Sequence, residues 1–156
     1  MRRRPVFAPV IVAAVLVAFG GIFLALQGCG AATTPGGLTS HSWTLTRLVV
    51  DGKEQPLAQG RSLTLRFQER DHTVSGFSGC NSYGGSYTIS GDSLRFDHMQ
   101  TTVMACANAD VMGLEAAYMR ALDGVESYHL DGATLSLSGD SGHVQMSFQQ
   151  GDSAAP

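Results

Sequence analysis

Tyr128-His129-Leu130-Asp131-Gly132-Ala133-Thr134-Leu135-Ser136-Leu137 is the stretch whose reading decides the fold. Apolar and polar side chains alternate on both sides of Asp131-Gly132, the period of a strand with one buried face. Asp-Gly between two alternating runs is the strongest short hairpin signal, because a type I′ turn needs positive φ at both central positions. Downstream, Val144, Met146 and Phe148 alternate in the same way. Upstream, Ser86–Ile89 and Ser93–Phe96 flank Ser90-Gly91-Asp92 as a further hairpin, and Val74–Phe77 is a shorter strand. Leu63, Leu65 and Phe67 alternate with Thr64 and Arg66, and Trp43–Val50 forms a first strand that Asp51-Gly52 stops.

One segment departs from this period. Between Asn108 and Asp123, Val111, Leu114, Tyr118 and Leu122 recur at three- and four-residue spacing, with Val125 just beyond. Asn108 suits the N-cap, Asp110 the positive end of the helix dipole, and Gly124 a left-handed C-terminal cap. One amphipathic helix among about seven or eight antiparallel strands predicts an α+β domain, a strongly curved, open and barrel-like sheet wrapped against that helix. The 19 glycines suit the bends and bulges of such a sheet.

The N-terminal quarter has a different character. Met1-Arg2-Arg3-Arg4 precedes Pro5 and an uncharged apolar run from Val6 to Leu26, the pattern of an export signal with its basic end held in the cytoplasm. Leu26-Gln27-Gly28-Cys29 ends the run and resembles the lipobox of bacterial lipoproteins. A thiol takes a diacylglycerol in thioether linkage, and small residues give the signal peptidase access to the bond ahead of it. Cys29 is therefore the expected lipidation site, and two or three acyl chains at about 0.8 kcal/mol per buried methylene would hold the chain to a membrane. An uncleaved membrane anchor and a cleaved soluble protein are the alternatives. Gly30, not Asp, follows the cysteine, which resembles an outer-membrane address in a two-membrane bacterium. The expected location is the cell envelope, on the outer side of the cytoplasmic membrane or in the outer membrane. The expected boundaries are a signal peptide over 1–28, a flexible tether over 29–41, one domain over 42–149 and a disordered tail over 150–156.

Residues 29–156 suffice for one domain with its own core and not for two. Three of the 10 basic residues lie in the signal, leaving seven against 13 acidic ones, a net charge of −6. Such a balance argues against nucleic acid and against a polybasic hold on anionic lipid. With Cys29 committed to lipid, Cys80 and Cys106 remain, in a compartment that permits disulfides. Their pairing is the simplest reading and would stabilise the fold by roughly 3 kcal/mol; free structural thiols, redox chemistry and metal binding stay open.

No catalytic set stands out. Gly76-Phe77-Ser78-Gly79-Cys80 lacks the final glycine of a nucleophile elbow, and a strand follows it where that motif needs a helix. Histidines 41, 72, 98, 129 and 143 are scattered without the spacing of a metal site, and Cys80, Cys106 and His98 are the one conceivable zinc set. No cofactor is expected. The Gly79-Cys80-Asn81 turn reads chiefly as structural: glycines for a tight connection, Asn81 for local backbone bonds, Cys80 as a staple. Tyr83 and Tyr87 read as core or as a partly exposed aromatic surface.

The segment from Val74 to Tyr87 resembles the hallmark of the META domain, the family of HslJ-like bacterial lipoproteins, in its Gly79-Cys80-Asn81 core and its Tyr83, Gly85 and Tyr87. Thr101-Thr102-Val103-Met104-Ala105-Cys106 resembles the family's second motif, with Val103 where an arginine is common, so any role of that basic side chain is in doubt here. Glu115, Tyr118 and Leu122 match its helix, Trp43 and Leu45 its opening strand, and Leu135-Ser136-Leu137 its closing hairpin. The resemblance runs from about Ser42 to Phe148. It implies an envelope protein tied to stress, drug tolerance or virulence, with no established reaction. It also implies a likeness to pilot lipoproteins whose cracked barrels hold a lipid or a peptide. The leading expectation is a non-enzymatic binding or stabilising module of the cell envelope, with an envelope protein or an apolar ligand as its partner. The alternatives are a carrier for an apolar ligand in a groove beside Val111, Leu114 and Tyr118, and a thiol enzyme using Cys80 and Cys106.

Overall fold

A computed structural model describes residues 35–106 and 108–151 of the 156-residue chain. The expected signal peptide, Cys29, the first part of the tether and residues 152–156 lie outside the described residues. Nine strands follow one another in an antiparallel sheet: β1 (Ser42–Val50), β2 (Lys53–Glu54), β3 (Thr64–Gln68), β4 (Thr73–Phe77), β5 (Ser82–Ser90), β6 (Ser93–Thr101), β7 (Ser127–Asp131), β8 (Thr134–Gly139) and β9 (Val144–Gln150). A short helix α1 (Pro35–Thr39) precedes β1, and α2 (Ala109–Asp123) lies between β6 and β7.

The expected α+β fold, a strongly curved barrel-like antiparallel sheet with one helix, is the one observed, and its sheet closes. β9 returns to pair with β1 from Trp43↔Gln150 to Val50↔Val144, closing a ring of eight strands with β2 as an extra strand beside β1. Closure leaves few exposed edges. The weakest seam lies between β6 and β7, where Ser93↔Ser127 is the one registered pair. There α2 takes over, burying Val111, Leu114, Ala117, Tyr118, Ala121 and Leu122. Trp43, Leu65, Phe67, Leu94, Leu135 and Phe148 fill the interior, each buried.

Local details follow from the residues. Asn108 caps α2 as expected, its side chain accepting from Asp110 N at 2.8 Å and Val111 N at 3.4 Å. Gly124 does end the helix, but at φ −88° instead of the expected left-handed conformation. Its N–H reaches Arg120 O and Ala121 O, tightening the last turn so that the chain leaves straight into β7. The Asp131-Gly132 expectation also shifts. Asp131 pairs with Thr134, so the loop is Gly132-Ala133, and Gly132 alone carries positive φ. The type I′ pattern occurs instead at Asp51 and Gly52 (φ 52° and 71°), between Val50 and its partner Lys53. A glycine is essential at Gly76, where a Cβ would lie 2.0 Å from Thr64 O and 2.5 Å from the Tyr83 hydroxyl.

Part of the segment expected as a tether over 29–41 is packed. Leu38 is fully buried, its carbonyl accepts from Trp43 Nε1 at 2.9 Å, and α1 packs against one end of the barrel. At the other terminus Gln150 belongs to β9, and Gly151 N donates to Ser42 O at 2.7 Å. No helix among the described residues is long and apolar enough to cross a membrane.

Candidate functional site

The turn between β4 and β5 gathers most of the singled-out residues. Gly79 takes φ 97°, a conformation that L side chains rarely adopt, and folds Cys80 and Asn81 inward. Among the described residues, Ser78 and Asn81 are the buried polar ones. Ser78 N donates to Asn81 O at 2.8 Å, closing the turn. The Ser78 hydroxyl lies within reach of both that carbonyl and the Glu115 carboxylate. Glu115, from α2, also accepts from Asn81 N at 3.2 Å and Asn81 Nδ2 at 3.0 Å.

Asn81 is the hub. Its Oδ1 accepts from Thr102 Oγ1 at 2.9 Å and Met104 N at 2.8 Å, while Nδ2 also reaches Met104 O at 3.4 Å. One amide therefore ties the β4–β5 turn to the β6–α2 connection and, through Glu115, to the helix. A disulfide between Cys80 and Cys106 spans the same gap with its Cα atoms 6.1 Å apart. That bond takes up both thiols of the conceivable zinc set, and His98 stands elsewhere, beside Ser86 on the β6 bulge. Among the described residues, no three metal-capable side chains converge.

Beneath the turn, the Tyr83 hydroxyl lies 2.8 Å from that of Tyr118 and donates to Thr64 O at 2.7 Å. Burial, and then the neighbouring Tyr118, holds the Tyr83 phenol well above its ordinary value. Burial also pushes Tyr118 far up. Tyr87 is buried against Phe67, its phenol raised by burial and then by Glu69. Gly85 sits at a register shift between β5 and β6, where a Cβ would meet Met99 Sδ at 2.5 Å. Thr101 ends β6 in register with Tyr83.

A cleft of about 730 Å³ opens beside this cluster, between the loop at Gln55–Arg61 and the first turns of α2. Val111 and Leu114 line it, as the groove expectation required. Tyr118 does not; it faces the interior. Arg61 at the rim donates to Gly79 O at 3.0 Å. Sequence reasoning matched Glu115 to a helix pattern but missed its part in the cluster. The available signal was a carboxylate four residues after Val111 and three before Tyr118, within the helix's apolar stripe.

Fold and site together define a class: a small closed antiparallel barrel sealed by one helix, cross-tied to the helix by a buried amide and to the loop before it by a disulfide. The chain belongs to the META domain family, whose profile matches residues 36–152. A solved NMR structure of a protein from Burkholderia xenovorans is similar, with 29% identity, a TM-score of 0.62 and coverage of 74% of this chain and 84% of that one. A second NMR structure is similar at 25% identity and a TM-score of 0.56, covering 74% and 93%. A DUF4847 family protein from Bacteroides vulgatus, 12% identical with a TM-score of 0.53 and coverage of 74% and 96%, shares the fold alone. No curated protein matches the chain significantly.

Proposed function

We propose that this chain is an exported META-domain lipoprotein, anchored through Cys29, whose domain is a non-enzymatic binding or stabilising module of the cell envelope, serving stress or drug tolerance. The observation that carries the reading is that the motif's reactive groups are engaged with one another. Ser78, Asn81 and Glu115 form a closed cluster, and Cys80 and Cys106 are joined. Among the described residues, no buried side-chain nitrogen or oxygen lacks a partner. A nucleophile needs an adjacent base and access to substrate; Ser78 is fully buried against a carboxylate already shared with Asn81. The lipobox Leu26-Gln27-Gly28-Cys29 supports the anchoring.

Intact-mass spectrometry of the protein purified from membranes tests this reading. The expected product begins at acylated Cys29 and takes two thiol labels only after reduction. Turnover of a defined substrate, lost in Cys80→Ser without unfolding, would overturn it. A carrier role keeps one supporting observation: the outer cleft has the volume of a small-ligand site and an apolar wall at Val111 and Leu114. The packed barrel interior weighs against storage there. Co-purifying lipid, displaced by Leu114→Trp, is the result that favours the carrier.

A further inference from the structure

The cleft beside α2 has two walls, and both are fastened to one turn. On the loop wall, Arg61 Nη1 donates to Gly79 O at 3.0 Å, and Gln55 N donates to Leu48 O at 2.8 Å. Leu57 and Ala58, between these two ties, pack against the barrel core. The helix wall starts at Asn108, two residues after Cys106, whose sulfur is bonded to Cys80. Neighbouring residues of the turn, Gly79 and Cys80, thus hold the facing walls. A cleft fixed in this way loses little freedom when a ligand enters it.

Its lining combines three chemistries. Leu57, Val111 and Leu114 supply apolar surface, and Gln59 carries a side-chain amide that matches a peptide group as donor and acceptor. Arg61 and Asp110 are the charged groups among the described residues of the lining, one on each wall. No ion pair joins either of them to another described residue. Arg61 spends one of its five N–H donors on Gly79 O, which leaves the rest of the guanidinium for a carboxylate. The first turn of α2 is not itself an anion site. Asp110 N and Val111 N donate to Asn108 Oδ1, and Met112 N donates to Asn108 O. What the helix wall offers is the Asp110 carboxylate, which favours a cation.

Charge then selects among occupants. A hydrocarbon tail laid in the cleft would cover two charges and pair neither. A simple anion would meet Asp110, and a simple cation would meet Arg61. A ligand with one charge of each sign satisfies both walls. The two charges of a free amino acid share one carbon, whereas Arg61 and Asp110 stand on facing walls of a cleft of about 730 Å³. We infer that this cleft binds a short apolar peptide with both ends free, its carboxylate on Arg61, its ammonium on Asp110 and its side chains on Leu57, Val111 and Leu114. The inference deepens the binding-module reading proposed above, on which it rests, and requires no membrane anchor.

Titration calorimetry of the full-length protein, carried in lipid nanodiscs, tests the site. The probes are trileucine, its N-acetyl derivative, its C-terminal amide, free leucine and dodecanoate. Trileucine should bind, and removal of either end charge should weaken binding about tenfold or more. Arg61→Gln should abolish the preference for trileucine over its amide and keep the preference over the N-acetyl form. Asp110→Asn should do the reverse, and both variants should unfold thermally like wild type. A purely structural role for Arg61 would instead weaken all three forms alike. That result in a folded variant, no binding at millimolar trileucine, equal binding of the blocked forms, or tighter binding of leucine or dodecanoate would each overturn the inference. Mass spectrometry of the recovered trileucine separates the two readings. Cleaved trileucine refutes a non-enzymatic module and leaves the end-charge pattern standing, whereas intact trileucine without that pattern refutes the site alone.

Discussion

Asn81 shows how one side chain can hold three pieces of chain together. Its amide serves Thr102, Met104 and Glu115, and no water is needed to complete the set. Asn81→Ala leaves the Met104 N–H and the Glu115 carboxylate short of partners in a part-buried place, which costs about 1–3 kcal/mol. A urea denaturation series checks this, and a loss below about 0.5 kcal/mol would mean the cluster is not as closed as its distances indicate. The buried tyrosine pair makes a second prediction at this scale. In the unfolded chain Tyr83 and Tyr118 ionise near pH 10, while in the fold both are held higher. The unfolded state therefore gives up these protons first. Stability from the pair is complete below about pH 10 and is lost as the pH rises through the folded values. The urea midpoint should fall above that pH, and Tyr83→Phe should make the fall shallower. Neither role was legible in the sequence in full: the tyrosines could be placed in the core, but a hydroxyl's partner 35 residues away leaves no local pattern.

Helices and hairpins were the most readable elements, because their signals are local. The spacing of Val111, Leu114, Tyr118 and Leu122 fixed the buried face of α2, and Asn108 its start. β2 escaped notice because two residues cannot show a period, and Asp51-Gly52 looked like a stop when it is a turn. The pairing of Cys80 with Cys106 was suggested by counting; the amide that reinforces it was not. At this scale the disulfide and the Asn81 bonds are two ties across one gap, between the β4–β5 turn and the loop leading to α2. Cys106→Ser should lower stability by about 3 kcal/mol. Hydrogen exchange should then quicken in the loop before α2 and in its first turn, more than in β8 and β9. Uniform acceleration over the whole barrel would mean that loop and ring unfold as one unit. A second element prediction isolates the cap. Asn108→Ala should cost about 1 kcal/mol by urea unfolding, and a larger loss would assign Asn108 a role in the cleft wall beyond capping.

The ring itself was not foreseeable from periodicity, which gives strands and faces but not which distant strands meet. Alternation in β1 and β9 marks a buried side for each; their pairing joins Trp43 to Gln150 across almost the whole described chain. The expected barrel-like sheet closes, and closure brings the two ends of the described domain together, with Gly151 N on Ser42 O. If stability resides in the closed ring more than in the order of connection, a circular permutant should fold. Joining residue 151 to residue 35 through a short glycine-serine linker and opening the chain between Gly91 and Asp92 preserves every strand pair. The cut falls in an exposed turn, where a Cβ on Gly91 would touch nothing within 4 Å. Such a permutant should keep the wild-type circular dichroism and a cooperative thermal transition. Deleting residues 144–151 removes the closing strand, exposes edges on β1 and β8, and uncovers Leu48, Leu135 and Leu137, buried beside it. That variant should fail to give a cooperative transition and should aggregate on heating. The contrast decides the matter. If the deletion folded while the permutant did not, connectivity along the meander, and not the β1–β9 seam, would be what the fold depends on.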